Sequence, residues 1–144
     1  MTAALTFYTN PQSRGSIVHW MLEETGQPYD TQVLSYGGTM KAPAYLAINP
    51  MGKVPAIKHG NQVVTEAAAI CAYLADAFPA ARLAPDTADR GDYYRWLFFA
   101  AACGEPAMSN HANGWDPAPE KCRQFGYGSF EETFTTLANW LAGR

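Results

Sequence analysis

No run of lysine or arginine interrupts this sequence, and ten basic residues against thirteen acidic ones leave a net charge of −3. Following a phosphate backbone takes clustered cations, so no nucleic acid is expected as a partner. Long apolar stretches are lacking too. None reaches the roughly 20 residues that span a bilayer, so no membrane is expected either. The opening residues lack the charged and apolar pattern of a secretory leader, and the expectation is a cytoplasmic protein. Cysteine is scarce: Cys71, Cys103 and Cys122 form no Cys-x-x-Cys pair and no zinc spacing, which points to reduced thiols. His19, His59 and His111 share no spacing suited to a metal, and no metal is expected. A chain of 144 residues has room for one or two compact units.

The densest local signals lie between Asn49 and Ala69. Asn49-Pro50 and Gly52 are turn signals. Val54 to Ile57 and Gln62 to Thr65 read as short strands, with Gly60-Asn61 suited to a two-residue hairpin turn. Pro55 is the odd residue, since a proline cannot donate to a ladder and must sit at an edge or carry a special bond. A cis Val54–Pro55 bond is accessible, because X–Pro prefers trans by only about 0.5–1 kcal/mol. It would turn the Val54 N–H and C=O outward, free to pair with an extended peptide. Thr65 and Glu66 then open a helix whose first N–H groups favour an anion. A peptide-binding edge and a carboxylate-binding helix end thus lie close together in the chain.

Around this stretch the periodicities are regular. Leu5 to Tyr8 reads as a first strand, broken by Asn10-Pro11-Gln12-Ser13-Arg14-Gly15. A helix over 16–25 follows, with Ile17, Val18, Met21 and Leu22 on one face and Gly26 closing it. Residues 32–34 form a second strand, 36–42 a glycine-rich loop, and 43–48 one or two helical turns. With the hairpin and a helix over 66–78, the order is βαβαββα, a thioredoxin-like arrangement with helices covering a central sheet.

The expected domains are 1–79, a linker 80–86, and an all-α region 87–144. Asp86 reads as the N-cap of a long helix from Thr87. Tyr93 to Ala102 is apolar nearly all round, which implies burial on most sides. Pro106 is expected to kink or end that helix. A second helix over 120–141 would carry Phe130, Phe134, Leu137 and Leu141 on one stripe, weakened at Gly126 and Gly128 by about 1 kcal/mol each. Two helices cannot cover an all-round apolar one. The expectation is an incomplete helical domain, a partner subunit over the gap, or both.

Asn49-Pro50-Met51-Gly52-Lys53-Val54-Pro55-Ala56-Ile57 followed by Thr65-Glu66-Ala67-Ala68-Ala69-Ile70 resembles the glutathione-binding half of a cytosolic glutathione S-transferase of the serine type. The likeness covers residues 4 to about 80 closely and the remainder loosely. It implies a mixed four-stranded thioredoxin-like sheet with a cis-proline at Pro55, followed by an all-α domain, here incomplete. It also implies a homodimer that uses glutathione as co-substrate against a hydrophobic electrophile, in detoxification.

The chemistry would be attack by the glutathione thiolate. A free thiol has a pKa of about 8.5, so lowering it by two units takes about 2.7 kcal/mol. One charge-assisted hydrogen bond supplies about 1.5–3 kcal/mol and a helix N-terminus about 0.3–1. Ser13, Ser16 and Tyr8 are the hydroxyls near the first helix. By resemblance, Ser13 falls where serine-type members place the catalytic hydroxyl; its plainer role is a helix N-cap. The resemblance further assigns the Val54 backbone, beside Pro55, to the cysteinyl unit. It gives Glu66 to the γ-glutamyl amine and the Glu66 and Ala67 N–H groups to the γ-glutamyl carboxylate. Members commonly carry serine at Ala67, so one contact is missing. Lys53 would meet the glycyl carboxylate, or is simply a solvated lysine. Two alternatives stand beside the transferase: a glutathione-dependent disulfide reductase, and a non-catalytic transferase-like binding domain.

Overall fold

The computed structural model of the protein describes residues 4–143, and the chain divides into two compact units, Met1–Asp86 and Thr87–Arg144. In the first unit the order is β1 (Leu5–Thr9), α1 (Gly15–Thr25), β2 (Asp30–Val33), α2 (Pro43–Leu46), β3 (Ala56–His59), β4 (Gln62–Thr65) and α3 (Ala67–Ala77). The sheet order is β2-β1-β3-β4, with β1 parallel to β2 and antiparallel to β3. This is the thioredoxin-like βαβαββα arrangement that the periodicities predict. Gly60, at φ +59°, and Asn61 make the hairpin turn between the paired His59 and Gln62.

Alternation along β1 divides the interior. Leu5 and Phe7 face α1 and α3, where they pack with Val18, Leu22, Ile57, Ile70 and Leu74. Tyr8 points the other way, toward Met40, Tyr45 and Ala56 beneath α2. Of the predicted α1 face, Val18 and Leu22 are buried and Met21 is partly buried, while Ile17 stays half exposed. Cys71 is only partly buried, and that burial pushes its thiol up from the ordinary value, away from reactivity.

In the second unit the sequence-based helices need correction. A 3₁₀ turn, Thr87–Asp89, precedes α4 (Arg90–Phe99), so the α-helix starts after Asp89 rather than after an Asp86 cap. A π-wound segment, Ala100–Gly104, leads into α5 (Glu105–Ala112). Pro106 cannot donate to Ala102 and its ring crowds that carbonyl; the wider winding just ahead lets the helix run on instead of ending. The single helix expected over 120–141 is a 3₁₀ stretch, Pro119–Gln124, then a break, then α6 (Phe130–Ala142). Gly128, at φ +70°, makes the break, and Ser129 restarts the chain with a capping box to Glu132. Within the unit, α4 buries no residue completely, and Phe98 is 63% exposed, contrary to the burial its composition implies. Its best-packed part is Trp96 against Phe99 and Trp140, with the Arg95 guanidinium over both indole rings at 4.8 and 5.4 Å. Among the described residues, no helix is long and apolar enough to cross a membrane.

Candidate functional site

Register places three loops at one end of the sheet. Tyr8 in β1 pairs with Ala56 in β3, and Ala56 pairs with Thr65 in β4. The chain therefore leaves β1 toward Ser13, enters β3 from Val54–Pro55, and leaves β4 into Glu66, all at the same edge. Both α1 and α3 begin there, so two helix N-termini direct positive dipole ends at this end of the sheet. Carboxylates, thiolates and phosphates suit such a place.

Ser13 lies just ahead of α1. Its Oγ donates to the Asn10 carbonyl at 2.6 Å and accepts from the Gly15 N–H at 3.0 Å. The resting hydroxyl thus ties the turn ahead of α1, where Arg14 is the N-cap and carries no side-chain capping bond, and its one proton is already given to a neutral acceptor. Asn10 is itself anchored: its Nδ2 donates to the Leu34 carbonyl at 2.7 Å, and its Oδ1 accepts from the Gln12 N–H at 2.9 Å. A Cβ on Gly15 would stand 2.0 Å from Thr9 Oγ1 and 2.9 Å from Ser13 Oγ, so a larger residue here would force both hydroxyls to move. Of the other two hydroxyls, Ser16 Oγ turns back to the Ser13 carbonyl at 3.4 Å. Tyr8 packs its ring on Tyr45, on the other face of the sheet from α1.

The loop before β3 has its carbonyls almost fully accounted for. The Gly52 N–H donates to the Asn49 carbonyl at 2.8 Å, and Lys41 Nζ donates to the carbonyls of Met51 and Gly52 at 2.9 and 2.8 Å. The Lys53 carbonyl takes two donors, Tyr45 OH at 2.5 Å and Asn49 Nδ2 at 2.9 Å. The Val54–Pro55 bond is cis. Among the described residues, no backbone hydrogen bond outside the helices and strands uses the Val54 N–H or C=O. The Lys53 side chain is exposed.

Glu66 stands at φ 67°, ψ 121°, a conformation that non-glycine residues adopt at a cost of order 1–3 kcal/mol. Its side chain is exposed. No side chain caps α3, and the Ile70 N–H bonds back to the Glu66 carbonyl at 2.9 Å. That leaves the N–H groups of Ala67, Ala68 and Ala69 for a ligand or water. Among the described residues, no group of three or more His, Cys, Asp or Glu side chains is placed to hold a metal ion.

Sequence reasoning named Ser13, Lys53, Val54, Pro55, Glu66 and Ala67, and the sheet register gathers their loops at one end. It missed Asn10, Lys41, Tyr45 and Asn49. Asn49 read only as a turn former, and nothing local marks Lys41 or Tyr45, whose partners lie eight to eleven residues on.

Residues 15–77 match the family of glutathione S-transferase N-terminal domains. The chain belongs to the cytosolic glutathione S-transferase family. Among curated members, glutathione S-transferase GST-4.5 of Xanthomonas campestris pv. campestris is 33% identical over 106 residues, 72% of this chain and 52% of the relative. The glutathione S-transferase-like protein gedE of Aspergillus terreus is 39% identical over 57% of this chain and 38% of its own length. The chain therefore spans about half the length of the first relative and less of the second. Among solved structures, a glutathione transferase from Methylococcus capsulatus superposes with a TM-score of 0.74 at 27% identity, covering 97% of this chain and 70% of that one. A glutathione transferase homologue from Sulfitobacter, with bound glutathione, gives a TM-score of 0.68 at 25% identity, covering 96% and 69%.

Proposed function

We propose that the protein binds glutathione at this end of the sheet and activates its thiol for attack on a hydrophobic electrophile. The observation that supports the reading is the register of Tyr8, Ala56 and Thr65, which brings the loops at Ser13 and Val54 and the start of α3 to the same end of the sheet. The Val54 N–H and C=O pair with the cysteinyl unit beside Pro55. Glu66 takes the γ-glutamyl amine, the first N–H groups of α3 (with Ala67) take its carboxylate, and Lys53 meets the glycyl carboxylate. The Sulfitobacter relative holds glutathione in its structure, which supports the ligand.

Ser13 then turns its hydroxyl from the Asn10 carbonyl to the glutathione sulfur. The thiol proton leaves to solvent, the thiolate forms the C–S bond, and the electrophile's leaving group departs. Exchanging a neutral acceptor, worth about 0.5–1.5 kcal/mol, for a charged one, worth about 1.5–3, nets about 1–1.5 kcal/mol. That is about one pKa unit, and the α1 N-terminus adds about 0.3–1 kcal/mol. A homodimer in the cytoplasm, serving detoxification, completes the proposal.

One observation favours the non-catalytic alternative: the Ser13 proton is already committed to the Asn10 carbonyl, so both polar roles of the hydroxyl are filled without a substrate. Calorimetry with glutathione on wild type and Ser13→Ala, alongside a thiolate absorbance titration, tests the choice. Both proteins should bind, and only wild type should lower the thiol pKa. Equal thiol pKa values would leave binding without activation. Turnover of a mixed disulfide but not of an aryl halide would favour the reductase.

A further inference from the structure

The Lys53 carbonyl and the Val54 N–H belong to one planar peptide unit, so fixing the direction of one fixes the other. Two donors converge on that carbonyl, and both come from buried residues: Tyr45 is 4% exposed and Asn49 6%. Asn49 cannot swing, because its Oδ1 also holds the Met51 N–H at 3.1 Å. Tyr45 cannot swing either, since it lies in the interior with Met40 and Ala56, and Tyr8 rests 5.5 Å from its ring. A carbonyl pointing out of the strand edge could turn to water; this one is tied inward from two sides.

We infer that Tyr45, with Asn49, is a positioning residue for ligand binding: by holding the Lys53 carbonyl in the interior it aims the Val54 N–H outward at the peptide that docks on this edge. The inference rests on the glutathione reading for the identity of that peptide, but not for the aiming itself. Tyr45 is buried and spends its hydroxyl proton on the Lys53 carbonyl. Its hydroxyl acts through one rigid peptide plane, which costs nothing to transmit because the plane has no soft torsion.

Tyr45→Phe removes the hydroxyl and keeps the ring in the core. Tyr73→Phe serves as control, since Tyr73 also carries a part-buried hydroxyl, 2.8 Å from His59 Nδ1, beside the other core. In free protein, amide NMR should show the Val54 N–H resonance shifted in Tyr45→Phe, because the peptide plane it shares with the Lys53 carbonyl loses one of its two ties. The Val54 signal should be unmoved in Tyr73→Phe. By calorimetry, glutathione should bind about fivefold more weakly to Tyr45→Phe and as in wild type to Tyr73→Phe, even where the two variants melt alike. An unchanged Val54 amide with unchanged affinity in Tyr45→Phe overturns the inference. So does an equal loss of affinity in Tyr73→Phe, which would make the effect one of general stability. If wild type binds no glutathione, the ligand reading fails, and the free-protein amide comparison upholds or overturns the aiming of Val54 on its own.

Discussion

The Ser13 hydroxyl and the Asn10 carbonyl, 2.6 Å apart, form the shorter of the two bonds this side chain makes at rest. A hydroxyl has one proton to give, so any thiol it stabilises must compete with that carbonyl. On the proposed reading, the strength of activation would be set as much by the loop as by the serine.

Asn10 is what keeps the loop in place, through the Leu34 carbonyl and the Gln12 N–H. Replacing it with alanine should cost about 1–2 kcal/mol of stability, measured by urea melts. With glutathione bound, the thiol pKa should move back toward its free value, because the serine loses its fixed bearing. A variant of wild-type stability would show that the Leu34 tie contributes nothing.

Gly52 sits at φ +57°, and a Cβ there would meet the Met40 carbonyl at 2.8 Å and Lys41 Nζ at 2.9 Å. Gly52→Ala therefore combines a left-handed backbone with a backbone clash, and should destabilise the first unit by roughly 2 kcal/mol or more. Thermal melts decide it; an alanine tolerated within about 0.5 kcal/mol would refute the close approach.

Burial, with the hydrogen bond and charge of Glu23, raises the Tyr29 hydroxyl from 10.0 to about 12. The folded form therefore keeps the proton that the unfolded chain gives up first. Stability from this group is complete below the unfolded value and is lost as pH rises from there through about 12. Melts on either side of pH 10 should show the wild type losing more stability at the alkaline end than Tyr29→Phe does. Parallel losses would remove Tyr29 from the account.

The Ser129 hydroxyl accepts from the Glu132 N–H at 3.1 Å, and Glu132 Oε2 accepts from the Ser129 N–H at 3.0 Å. Ser129→Ala opens this box at the start of α6 and should cost about 1 kcal/mol, with Ser129→Asp restoring most of it. Helical circular dichroism through a denaturant titration follows it directly. If aspartate fails to rescue, the box is not what starts the helix.

What the sequence determined alone was local and periodic. The strands and helices of the first unit, and the Gly60-Asn61 turn, follow from alternation, 3.6-residue faces and turn chemistry acting over a few residues. Ser13, Val54 and Glu66 were named because the family resemblance assigns them roles, and each also sits at a local break in those patterns. The second unit was read less well for a physical reason: an all-apolar run such as 93–102 fixes neither which side is covered nor where the winding changes, and Gly128 outweighed a helical stripe. Only tertiary structure decided the rest. Pairing of Tyr8 with Ala56 and of Ala56 with Thr65 gathered three distant loops at one end of the sheet. Lys41, Tyr45 and Asn10 gained their roles from partners brought near by folding, the Leu34 carbonyl being 24 residues from Asn10. Hydrogen bonds between side chains and distant carbonyls have no period, so the chain had to fold before they could be seen.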